Sequence, residues 1–142
     1  MKYSVISALG LFGSWIASLY GGWSVGLTVL GVFMVIDLFT GFICALIFKK
    51  STKTKNGAYE SRAGWKGLAR KGTTLLLVLV ASQCDELIGG TYIKDGVCIA
   101  FIVNEVISII ENAGLMGVPI PQILTNAIEV LKDKSIGADK NE

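Results

Sequence analysis

Histidine is absent from this 142-residue chain, and its three cysteines, Cys44, Cys84 and Cys98, stand singly inside apolar runs. With no imidazole and no C-x-x-C pair, His-based catalysis, the usual zinc-ligand patterns and a disulfide framework are excluded. Each cysteine reads as a small buried apolar residue. Nucleophile elbow, phosphate loop and metal spacing are missing too. The adjacent acids Asp85 and Glu86 point to different helix faces rather than across a glycosidic bond. No enzymatic activity and no cofactor is expected. Charge is scarce, at 17% of residues against 52% hydrophobic, and proline occurs only at Pro119 and Pro121.

A mean hydropathy of +0.61 is more than one small soluble core absorbs, so the expected class is an all-α membrane protein of several spans. The net charge of +2 hides an asymmetry: eight of the thirteen Lys and Arg fall between Lys49 and Lys71, where Glu60 is the one acid. A basic block between two apolar runs is a cytoplasmic loop rather than a nucleic-acid surface, which would need a folded basic face. Within it Lys49, Lys50, Lys66, Arg70 and Lys71 are expected to fix topology or meet lipid headgroups.

Four spans are expected. Residues 4–20 follow a positive start and end in the aromatic belt of Trp15, Tyr20 and Trp23, which favours a helix over a signal peptide. Gly10, Ser14 and Ser18 form a small-residue face along it, suited to helix contact. Residues 25–48 are the strongest span. Their single charge, Asp37, costs about 3 kcal/mol on insertion, which the surrounding Leu, Ile, Val and Phe offset. Asp37, Thr40, Gly41, Cys44 and Ala45 share a face that should turn from lipid. Residues 73–88 form a third, shorter span, and residues 92–112 a fourth.

The fourth carries a polar stripe, with Asn104, Ser108, Glu111 and Asn112 at i, i+4, i+7 and i+8 and Glu105 beside it. It inserts only when packed with that seam toward other helices. Gly114, Gly117 and Pro119 stop it, and Pro121 begins an amphipathic helix over 122–134, with Leu124, Ala127, Ile128 and Leu131 on one face, lying at the interface or docked on a partner. Residues 1–134 thus make one membrane domain, and 135–142 a polar tail. Four spans with both termini inside put 12 of the 13 basic residues in the cytoplasm and leave Lys94 outside. Three spans are the alternative, which strands the C-terminal lysines outside.

D-L-F-T-G at Asp37 to Gly41, S-R-A-G-W-K-G-L-A-R-K at Ser61 to Lys71, the aspartate at Asp85, and N-E-V-I-S-I-I-E-N with G-V-P-I-P at Asn104 to Pro121 occur in this order. Together these blocks, over roughly residues 30–134, resemble the toxin-secretion and phage-lysis holins. The resemblance implies a protein that oligomerises with itself in the lipid bilayer of the bacterial cytoplasmic membrane. It then opens lesions that let an endolysin, or an exported toxin, pass without required direct contact. Many holins start at either of two close methionines, whereas here the next methionine is Met34, so timing by a dual start is not expected. Two other classes fit the same residues: a small ion-coupled transporter using the intramembrane acids, and an antiholin-like subunit that opens nothing.

Overall fold

The computed structural model describes residues 1–138, with side chains to residue 134; among them are five α-helices and no strand. α1 is Lys2–Leu19, α2 Val25–Ile43, α3 Ser61–Ile88, α4 Tyr92–Leu115 and α5 Gln122–Ala138. Gly21 and Gly22, at φ of 68° and 94°, take the left-handed turn between α1 and α2 that a side chain resists. Ser24 then caps α2, its side chain accepting the Leu27 N–H at 3.2 Å. A π-helical turn, Cys44–Phe48, prolongs α2 and ends at Lys49 in the left-handed region.

The chain departs from expectation in the basic segment. α3 starts at Ser61 rather than Thr73, so only residues 49–60 are a loop. Ser61 to Lys71 contains no proline, and Leu68, Ala69, Arg70 and Lys71 are good helix formers continuous with Leu75 to Val80, so the helix of the span propagates back through them. The loop folds on itself, with the Ser51 N–H on the Gly57 carbonyl at 3.0 Å and the Thr54 hydroxyl on the Ala58 carbonyl at 2.8 Å. At the C-terminus α5 continues to Ala138, into the expected tail, and residues 139–142, including Lys140, lie outside the described residues.

α4 is the central helix, packed against α2, α3 and α5. Leu27, Leu30 and Met34 of α2, Val78 of α3, Cys98, Ile102, Val103 and Val106 of α4 and Ile128 of α5 form one apolar core. α5 therefore docks on α4 of its own chain rather than awaiting a partner. Cys44 and Cys98 are buried as expected; Cys84 faces outward. Gly26 lies against Cys98 while Thr40 meets Asn112, so α2 and α4 run parallel, with α3 antiparallel to both. α1 has no buried residue and touches α3. Its C-terminal end is tied down: the Gln83 amide donates to the Leu19 carbonyl at 2.7 Å, Lys94 Nζ to the Tyr20 carbonyl at 2.9 Å, and the Tyr20 hydroxyl to the Leu75 carbonyl.

Thr91 makes no side-chain cap for α4. Asp85, at the end of α3, does so from another helix: its two oxygens accept the backbone N–H groups of Ile93 at 3.0 Å and Lys94 at 2.7 Å, two of the donors a helix start leaves unpaired. Asp85→Ala is expected to cost about 1–2 kcal/mol, read as a lower denaturation midpoint in detergent micelles. An unchanged midpoint would mean that water serves these groups equally well.

Candidate functional site

Three polar residues, Asp37, Glu105 and Asn112, are buried where α2, α3 and α4 meet. Asp37 faces inward from α2, one turn below Met34, and Glu105 and Asn112 lie two turns apart on the inner face of α4. Lys71 reaches between them from α3. Its ammonium donates to Asp37 Oδ2 at 2.8 Å and to Glu105 Oε2, and its side chain is 12% exposed. The Asn112 amide donates to Asp37 Oδ1 at 3.2 Å and to the Thr40 hydroxyl oxygen at 3.1 Å, while that hydroxyl donates to the Asp37 carbonyl. Ser108 faces the same carboxylate, and Lys53 adds a second positive charge to the field there. Among the described residues every buried side-chain polar atom has a partner.

The network is a three-helix clasp. Two carboxylates share the Lys71 ammonium, with Lys53 the second cation acting on Asp37, and every helix is held by the other two. The arrangement can be satisfied in two ways: internally, as here, or by water if the helices part. It contains no nucleophile paired with a base and nothing aimed at a reacting atom.

Of the residues singled out from sequence, Asp37, Thr40, Glu105 and Ser108 come together in this clasp. Asn104 and Glu111 do not; both are exposed on the outer side of α4. Gly41 faces α4 within the chain, where a Cβ would stand 3.6 Å from the Asn112 amide nitrogen, and Ala45 is buried. Gly10, Ser14 and Ser18 lie on the exposed α1, with no neighbour within 4 Å of where a Gly10 Cβ would be. Lys49, Lys50, Lys66 and Arg70 are exposed. Lys71 is not a headgroup charge: it is the counter-ion of the clasp, because the early start of α3 brings it to the inner face. Lys94, expected outside, is buried with its ammonium on the Tyr20 carbonyl.

The exterior is the reverse of this interior. Val32, Phe39, Leu46, Ile47, Leu76 and Val80 are all exposed, while Asp37, Asp85, Lys94 and Glu105 are buried. In water such an apolar surface would associate or aggregate; in hydrocarbon it is the stable arrangement, since charges must find partners inside. One helical run, Val25–Phe48 with mean hydropathy 2.4, is long and apolar enough to cross a membrane by length and composition.

A buried ion cluster inside a helical chain with large apolar side chains outside is the pattern of small helical membrane proteins. Within that class the chain belongs to the bacteriophage holin family, whose model matches residues 14–133. It is 33% identical over 102 residues to a probable holin of Bacillus phage phi105, covering 71% of this chain and 70% of that one. It is also 36% identical over 136 residues to an uncharacterized 14.9 kDa protein of Clostridium perfringens, 94% of each chain being covered. An uncharacterized Listeria monocytogenes protein is 35% identical over 144 residues, with 100% of this chain and 93% of that one covered. No solved structure matches. Membership of this family implies the cytoplasmic membrane.

Proposed function

We propose that this protein is a holin: it accumulates in the bacterial cytoplasmic membrane, oligomerises, and opens lesions through which an endolysin or an exported toxin passes. The subunit crosses the membrane four times, over about 4–20, 25–48, 73–88 and 92–112, with both termini in the cytoplasm. Parallel α2 and α4 with antiparallel α3 support this path, because successive spans must alternate in direction. The exposed small-residue face of Gly10, Ser14 and Ser18 is the surface left for a second copy, Gly41 and Ala45 being used within the chain.

The observation that carries the reading is the clasp of Lys71, Asp37 and Glu105 inside an apolar exterior. While subunits are dilute, each satisfies its own polar groups. As they crowd, α2 and α4 part, and the clasp residues turn toward water lining a shared opening. That exchange exposes groups that hydrocarbon penalises, so it proceeds only where several subunits enclose water together. A sharp dependence on surface density follows.

Induction in cells that also hold a cytoplasmic enzyme is expected to release that enzyme abruptly after a lag. Uptake of small cations with the enzyme retained would assign a transporter instead. Retention of both would leave an antiholin-like subunit.

A further inference from the structure

The loop between α2 and α3 is a folded strap that carries a cation to the clasp. Lys49, at a φ of 51°, turns the chain out of the π-helical end of α2, and the Lys50 N–H closes that end on the Cys44 carbonyl at 3.1 Å. Beyond it the strap holds its own shape. The Ser51 N–H bonds the Gly57 carbonyl, the Ser51 hydroxyl oxygen accepts the Lys53 N–H at 3.2 Å, and the Asn56 side-chain oxygen accepts the Ala58 N–H at 3.1 Å. Gly57, at a φ of 73°, lies so close to the Lys49 carbonyl that a side chain there would collide with it. Among the described residues, 51–59 hydrogen-bond only with one another. Side chains do the attaching: the Tyr59 ring stands edge-on to Phe42 at 5.3 Å, and Lys53 reaches inward.

Lys53 lies along a cleft of about 560 Å3 between α2, the strap and α3, which Asp37 and Lys71 also line. Its ammonium stands 3.9 Å from where a Gly41 Cβ would be, one turn along α2 from Asp37, and acts on the Asp37 carboxylate without bonding it directly. Glu60, the other acid on the cleft, is in no ion pair among the described residues. The charges of the cluster then balance: Asp37 and Glu105 are two negatives, Lys71 and Lys53 two positives. Without Lys53, a cluster withdrawn from water keeps one excess negative charge, and that favours hydration.

We propose that the 49–60 strap is a latch on the clasp. With Lys53 in place the cluster is neutral and the closed subunit is favoured; when the strap swings away, taking Lys53 with it, the excess charge draws α2 and α4 apart toward water. The construction suits release. Lys53 is exposed along the cleft rather than sealed in it, so it leaves without crossing an apolar barrier, and the bonds of the strap are internal and survive the movement. The inference rests on the opening proposed above and names the element that controls it.

The test reads opening through Cys44, which is fully buried in the π-helical turn that packs on α4. A small thiol reagent reaches it only when the helices part. In full-length protein carrying Cys84→Ala and Cys98→Ala, in detergent micelles, Lys53→Gln should raise the labelling rate of Cys44 a few-fold, the size expected of a water-accessible charge pair. Lys53→Arg keeps the charge and should keep the parental rate. Lys55→Gln removes an exposed charge of the same strap outside the cleft and should also leave the rate unchanged. Gly57→Val, which cannot keep the strap folded, should raise it. Parental labelling of Lys53→Gln, an equal rise for Lys55→Gln, or the same rise for Lys53→Arg would each overturn the proposal. If Gly57→Val does not accumulate, the lysine variants still decide. Enzyme release on induction is scored separately. Parental release with labelling indifferent to Lys53 removes the latch alone, whereas Lys53-dependent labelling without release removes the lytic reading and leaves the latch.

Discussion

Replacing Lys71 by methionine is expected to destabilise the subunit by about 3–5 kcal/mol, the cost of leaving buried charges without their partner. Asp37 and Glu105 would then face each other across the α2 and α4 contact with the Asn112 amide and nearby polar groups as their remaining support. The variant should reach the membrane at reduced level, lose protease resistance and fail to lyse cells. Loss of function from misfolding is separated from loss of opening by a second variant carrying Asp37→Asn, Lys71→Met and Glu105→Gln together. That combination removes the charges as a set, which in buried ion clusters is often neutral or stabilising, so protease resistance should return. Lysis should not, because the charges whose hydration favours the open form are gone. A triple variant that lyses on the parental schedule would reduce the clasp to packing.

Much of the clasp is legible before any coordinates. Asp37 stands out as a lone charge in an apolar run, and the acids of α4 are costly enough in hydrocarbon that some must face other helices. Which of them do so is not legible. Asn104 and Glu111 are seven residues apart, as are Glu105 and Asn112; each pair offers one amide and one acid on adjacent faces of the same helix, and periodicity ranks them equally. Packing decides: Glu105 and Asn112 share their face with Cys98 and Ile102 of the core.

Lys71 escapes notice for another reason. Seven neighbouring basic residues make it look like part of a topological block, and the charge pattern outweighs the helical one. A signal was present, since Lys71, Val78 and Asp85 repeat at seven-residue spacing and all face inward. Asp85 as a cap for α4 has no local signature, because capping rules look to the residue just before a helix and this one comes from the helix before. The absence of any buried residue in α1 is equally invisible, since a membrane helix reads the same whether lipid or protein surrounds it.

The central claim is that lesions form only when α2 and α4 part, and the fold supplies a direct way to forbid it. A Cβ built on Gly26 stands 3.4 Å from the Cβ of Cys98, close to the roughly 3.5–4.5 Å that a disulfide spans. Gly26→Cys, with Cys44 and Cys84 replaced by alanine, should therefore staple α2 to α4 under a membrane-permeant oxidant. The measurement is the time of culture lysis with endolysin present, at matched membrane levels, before and after adding a permeant reductant. The account predicts that the oxidised form accumulates without lysing and that reduction triggers lysis within minutes. Lysis by the oxidised form on the schedule of the reduced one would contradict it.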